Sequence, residues 1–161
     1  MRSFKALAFV SALALAGFGT VLHANEDASG GSNGNDQAGF SGPDKLLVTV
    51  TSADTQTQGM SMILATQAVK RGQEVRILLC GKGTEMAVGR YRVEKLKPAG
   101  ANPQQMLQKL MEEHGVTAQV CGVFLPNTRY QEKNLIEGVG VASPDEIGEY
   151  MADPKVRFFT H

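Results

Sequence analysis

Few residues in this chain could do covalent chemistry. It has two cysteines, Cys80 in "ILLCGKG" and Cys121 in "AQVCGVFLPNTRYQ". Each lies in or at the end of an apolar, strand-like run. Three readings of these sulfurs compete. A free cysteine packs as a small hydrophobe. Two cysteines in an exported chain suit a disulfide. A thiolate is a nucleophile whose pKa falls beside positive charge. Cys121 is followed by Gly122, which lets other groups approach, and by Arg129 eight residues on. Lys82 stands two residues after Cys80 and could serve the same edge.

A bridge can be tested by geometry. Bridged Cα atoms lie within about 6.8 Å of each other. Adjacent strands are about 4.8 Å apart, and strands once removed about 9.6 Å. The two cysteines can therefore join simply if their strands are neighbours. If both strands flank a third, the bridge needs a bent loop.

Other chemistries find less support. "GKGTEMAVG" lacks the spacing of a phosphate-wrapping P-loop, and no GxGxxG follows the first strand, so no cofactor is expected. His114 falls at a helix end, where the helix dipole favours a cation. Seven methionines and two cysteines raise soft-metal binding, copper(I) in particular. Only Met60, Met62 and Met86 could reach the cysteine edge, and Met60 also fits a core stripe. No Ser–His–Asp set or carboxylate pair stands out.

The elements that must position the cysteines follow from periodicity. "KLLVTVTS" (45–52), "EVRILLC" (74–80), "VTAQVCGVFL" (116–125), "VGVA" (139–142) and "KVRFFT" (155–160) read as strands. "TQGMSMILATQAVKRG" (57–72) reads as a helix with Met60, Ile63, Leu64 and Ala68 on its inner face and Gly72 at its stop. A short helix around 84–89 comes next, then a connecting loop (90–102). "NPQQMLQKLMEEHG" (102–115) has Asn102 as cap, Pro103 in the first turn, and Met106, Leu107, Leu110 and Met111 inward. A helical turn fits within 128–138. The helix of 143–154 opens with a capping box from Ser143 to Glu146. Strands separated by helices predict a three-layer α/β/α sandwich with a mainly parallel sheet of about five strands. Ligands bind beyond the carboxyl ends of such strands. The segments 52–60, 80–86 and the one after Cys121 converge there.

Before that domain, residues 1–24 have the layout of a secretory signal peptide: Arg2 and Lys5, an apolar run from Ala6 to about Phe18, and Ala24 at the cleavage point. The run is shorter than the ~20 residues that span a bilayer. Residues 25–44 are rich in Gly, Ser, Asn and Asp and read as a flexible linker. The folded domain is expected over 45–161. Cleavage leaves 14 basic residues against 16 acidic ones, a slightly acidic protein of periplasmic or secreted location. Neutral charge, no Trp and 6% aromatic residues argue against nucleic-acid binding. No membrane attachment is expected after cleavage.

The stretch "LLVTVTSAD…MILATQAVKRGQEVRILLCGKG", with "LQKLMEEHGVTAQVCGVFLPN…LIEGVGVASPDEIGEYMADPKVRFF", resembles the DsrE/DsrF-like family, which includes TusD-type sulfur-relay subunits. The resemblance covers about 45–160. It implies a compact α/β sandwich that forms homo- or hetero-oligomers. It also implies that a cysteine on the third strand carries sulfur as a persulfide, and Cys121 matches that position. Cys80 is outside the shared pattern; it is a resolving thiol or a packing residue. "LPNTRYQ" replaces the basic-glycine turn of relay members. The expected function is therefore an exported persulfide carrier or sulfurtransferase acting through Cys121. Its partners would be a sulfur donor or acceptor protein, or a small sulfur compound, with homo-oligomers expected. The alternatives are a non-catalytic assembly module with structural cysteines, or a copper binder.

Overall fold

The structure, a computed structural model, describes residues 44–161. The expected leader (1–24) and all but the last residue of the expected linker (25–44) lie outside the described residues.

Five strands form one sheet: β1 (Lys45–Val50), β2 (Glu74–Leu79), β3 (Thr117–Cys121), β4 (Val139–Ala142) and β5 (Val156–Thr160). Their order is β4-β3-β2-β1-β5, and every neighbouring pair is parallel. All five carboxyl ends therefore lie along one edge. Three helices connect them: α1 (Thr55–Lys70), α2 (Pro103–His114) and α3 (Pro144–Ala152). Among the described residues, no helix is long and apolar enough to cross a membrane.

Alternation along β1 shows how the layers divide. Leu46, Val48 and Val50 face one way, into a core with Met62, Ala65, Ile77, Leu79, Leu107, Leu110 and Val120. Leu47 faces the other way, into a smaller cluster with Tyr150 and Val156. Side chains of period two on a buried strand must supply both faces. The helices α1 and α2 cover the first face and α3 the second, which makes the three-layer sandwich.

The helix ends follow from their caps. The Asp54 carboxylate accepts from Thr57 N at 2.8 Å, so α1 starts earlier than the hydrophobic pattern implied. Of the expected inner stripe of α1, Ala68 is buried and Leu64 half-buried, but Met60 is 48% and Ile63 37% exposed. Gly59, Ser61, Met62 and Ala65 are buried instead. Small residues face inward because neighbouring chain lies close: a side chain at Gly59 would overlap Leu96. Asn102 and Gln105 form a reciprocal capping box on α2. In α3 half of the expected box forms. Ser143 Oγ accepts from Glu146 N at 3.1 Å, but the Glu146 carboxylate bonds Arg76 at 2.9 Å and Gln119 at 3.1 Å.

Candidate functional site

The parallel sheet brings both cysteines to its carboxyl edge. Leu79 pairs with Val120, so the next residues, Cys80 and Cys121, stand side by side. β2 and β3 are direct neighbours, which is the arrangement a simple bridge requires. Cys80 and Cys121 are joined as a disulfide, with Cα atoms 5.2 Å apart, and no described cysteine is free. Cys121 ends β3 rather than lying inside a longer strand. The chain turns directly after it: Phe124 N donates to Cys121 O at 2.8 Å, and the peptide at Gly122 runs beside β4. A Cβ at Gly122 would stand 2.6 Å from Ala142 O, so the turn requires glycine.

After Cys80 the chain forms a 3-10 helix, Gly81–Ala87, which is earlier than the expected 84–89. Gly83, Thr84, Met86 and Ala87 are buried in it. Cys80 N donates to Val50 O at 2.9 Å, Gly83 N donates to Cys80 O at 2.9 Å, and Thr84 Oγ1 donates to Gly81 O at 2.7 Å. A side chain at Gly83 would run into the Val50 backbone. This wall of the site is thus packed directly on β1.

Both half-buried cysteines line one open cavity of about 470 Å³. Gly81, Lys82, Thr84 and Glu85 close it on one side, and Val123, Phe124, Asn127 and Tyr130 on the other. The lining is mostly apolar, and Val123 is 69% exposed at its mouth. Lys82 supplies a cation on the Cys80 side, at 3.4 Å from the Glu85 carboxylate. The Phe124 and Tyr130 rings pack at a 32° tilt with centroids 5.8 Å apart.

Arg129 does not line this cavity. It lines a second one, of about 320 Å³, with Arg90, Lys133, Asn134 and Tyr130. Its guanidinium lies 5.6 Å from the Tyr130 ring centroid. Tyr130 is in the walls of both cavities, so Arg129 borders the cysteine site through that ring. Sequence reasoning missed Tyr130, although "NTRYQ" placed an aromatic next to the arginine it singled out.

Nor does segment 52–60 line the cysteine cavity. Most of it is the start of α1, held by Gln58, which donates to Ser52 O at 2.7 Å and accepts from Tyr91 Oη at 2.6 Å. Burial, and secondarily the Glu85 carboxylate, push the Tyr91 phenol up to about 12. Met62 and Met86 are buried in the core, and Met60 is exposed on α1; none of them lines the cavity. Among the described residues, no three His, Cys, Asp or Glu side chains gather as metal ligands would.

The arrangement is a solvent-reachable disulfide between neighbouring strand ends, in a mostly apolar cavity bordered by the Lys82–Glu85 pair. It can be opened by a nucleophile, and one sulfur can then carry what the nucleophile leaves.

Several solved structures share this fold. One is the ychN protein from E. coli, 17% identical, covering 73% of this chain and 99% of that one with a TM-score of 0.58. Another is MTH1491 from Methanobacterium thermoautotrophicum, a protein of unknown function, 15% identical, covering 73% of this chain and 98% of that one with a TM-score of 0.52. No curated protein matches the sequence. The model of the DsrE/DsrF-like family matches residues 44–159, nearly the whole described domain, and the chain belongs to that family.

Proposed function

We propose that this protein handles sulfane sulfur in an exported compartment, with Cys121 as the residue that accepts and passes it. One observation carries the reading: Cys121 meets Cys80 at the ligand edge of the sheet, where both line one open cavity. Family membership adds the sulfur chemistry. Export is supported by the leader-like residues 1–24 and by the disulfide, since such bonds persist in oxidising compartments. Cys80 serves as the resolving thiol, and Lys82 lends its charge to the site. Arg129 acts at one remove, through Tyr130. The donor or acceptor is a protein or a small sulfur compound, and the protein works as an oligomer.

The test starts from the reduced protein, incubated anaerobically with polysulfide and read by intact mass and peptide mapping. One added sulfur should appear on Cys121 and be absent from Cys121→Ser. An equal adduct on Cys121→Ser sinks the reading. Recovery from the periplasm or medium of a chain beginning at Asn25 tests export.

The disulfide itself favours a second reading, an assembly module in which the bond is only a clamp. Reduction separates the two. A dithiol form that stays folded and reacts belongs to a sulfur carrier. A bond that opens only with unfolding belongs to a clamp.

A further inference from the structure

A carrier whose two cysteines are already bonded has no free thiolate with which to accept sulfur. The oxidised site is instead an electrophile. Building on the sulfur-handling reading, we propose that the Cys80–Cys121 disulfide is the loading form of the site. Its substrate is hydrosulfide, which attacks the bond and becomes the sulfane sulfur of a Cys121 persulfide.

The step balances without any further reagent. The hydrosulfide sulfur bonds to Cys121 Sγ as the Cys80–Cys121 bond breaks. The bonding pair leaves on Cys80 Sγ, which departs as a thiolate. The disulfide gains two electrons, and the incoming sulfur supplies them. One negative charge enters on hydrosulfide and one remains on Cys80, while the proton stays on the outer sulfur. A nucleophilic acceptor, a thiolate or sulfite, then takes the outer sulfur and leaves the dithiol. A single turnover therefore needs no oxidant beyond the bond itself.

Three features favour this direction of attack. First, the leaving thiolate lies on the side of the cation: Cys80 and Lys82 share the turn into Gly81–Ala87 and line one cavity. Positive charge lowers a thiol's pKa, and thiols of lower pKa leave faster. Second, the flank of Cys121 is open to an incoming nucleophile: Val123, Asn127 and Thr128 line the cavity there and are exposed. Third, the cavity is open and mostly apolar, so a small nucleophile can enter it, and Lys82, paired with Glu85 at 3.4 Å, places a cation in its wall.

The experiment uses the oxidised full chain under strict anaerobiosis. Sodium sulfide is the probe, followed by alkylation and intact mass. The expected product has gained the elements of one hydrogen sulfide molecule plus two alkyl groups, one on the outer sulfur of Cys121 and one directly on Cys80. Lys82→Ala, a change at an exposed side chain, should slow opening by roughly several-fold and weaken its dependence on ionic strength. A bond that stays closed at sulfide levels that open oxidised glutathione overturns the proposal, as does sulfane sulfur found on Cys80. The polysulfide test on the reduced protein is independent: loading there with no opening here removes hydrosulfide as the substrate and leaves the carrier reading standing.

Discussion

The two strand ends that carry the sulfurs look alike in sequence, "LLCG" and "QVCG", yet they are built differently. Beyond Cys80 the chain folds back into the molecule as a 3-10 helix with four buried residues, pressed against the backbone of β1. Beyond Cys121 it turns outward into a partly exposed loop, touching the sheet closely at Gly122. Both cysteines are half-buried, but one is followed by chain packed into the core and the other by a loop at the rim. A disulfide between a firmly backed strand end and a looser one suits exchange, because one partner can stay in place while the other moves.

The largest test of that contrast is Gly83→Ala. The added carbon would overlap the Val50 carbonyl group, and backbone on both sides leaves little room to yield. The expected loss is about 4 kcal/mol or more in urea unfolding, at the upper end for single substitutions. A loss below about 1 kcal/mol would mean that the Cys80 wall is not packed as described.

Reduction of the disulfide comes next. The bond spans a sequence separation of 41. Chain entropy sets its contribution at about 3–4 kcal/mol. Urea midpoints with and without reductant measure it. Cys80→Ser and Cys121→Ser should both lose this amount. The dithiol form should keep its sheet, since the core around Val48, Ile77 and Leu107 does not depend on the bond. Collapse on reduction would favour the clamp.

Gly122→Ala should cost less, about 1–3 kcal/mol, because β4 is an edge strand and can shift. Its effect should be confined to β3, β4 and the loop, read as faster amide exchange there with protection of 81–87 unchanged. Equal losses at Gly83 and Gly122 would erase the difference between the two ends.

The fold was legible because each element carried its own signal. Apolar β-branched runs marked the strands, and Asn102, Pro103 and Ser143 marked helix starts. The sulfur edge followed, since strand ends of a parallel sheet must coincide. The adjacency of β2 and β3 could not be read locally; it depends on how α1 and α2 pack on one face. It decided whether the two cysteines could meet. The α1 stripe misled because the helix turns small residues inward. Ala68 was in the expected stripe, but Gly59, Ser61 and Ala65 carry little hydrophobic signal and yet face inward. Arg129 was assigned to the sulfur cavity from sequence distance alone. A loop residue can point either way, and here Tyr130 stands between.

The smallest expected effect concerns acid and comes back to the difference between the walls. Asp54 caps α1 just beyond β1, the strand on which the Cys80 wall rests. Hydrogen bonds from Thr57, the backbone N–H first and the hydroxyl second, hold its carboxyl below the usual carboxylate range. Its folded pKa is therefore lower than its unfolded one. The stabilisation is present above the unfolded value and is lost as pH falls through the folded value. The same helix carries Gln58, which joins Ser52 to Tyr91. Acid should therefore loosen residues 81–87 more than the loop after Cys121, and hydrogen exchange at decreasing pH measures both. Asp54→Asn keeps an N-cap acceptor and should flatten this acid dependence, while Asp54→Ala should lower protection of α1 at every pH. Equal acid response at the two sulfur-bearing ends would show that the Cys80 wall gains nothing from the strand and helix behind it.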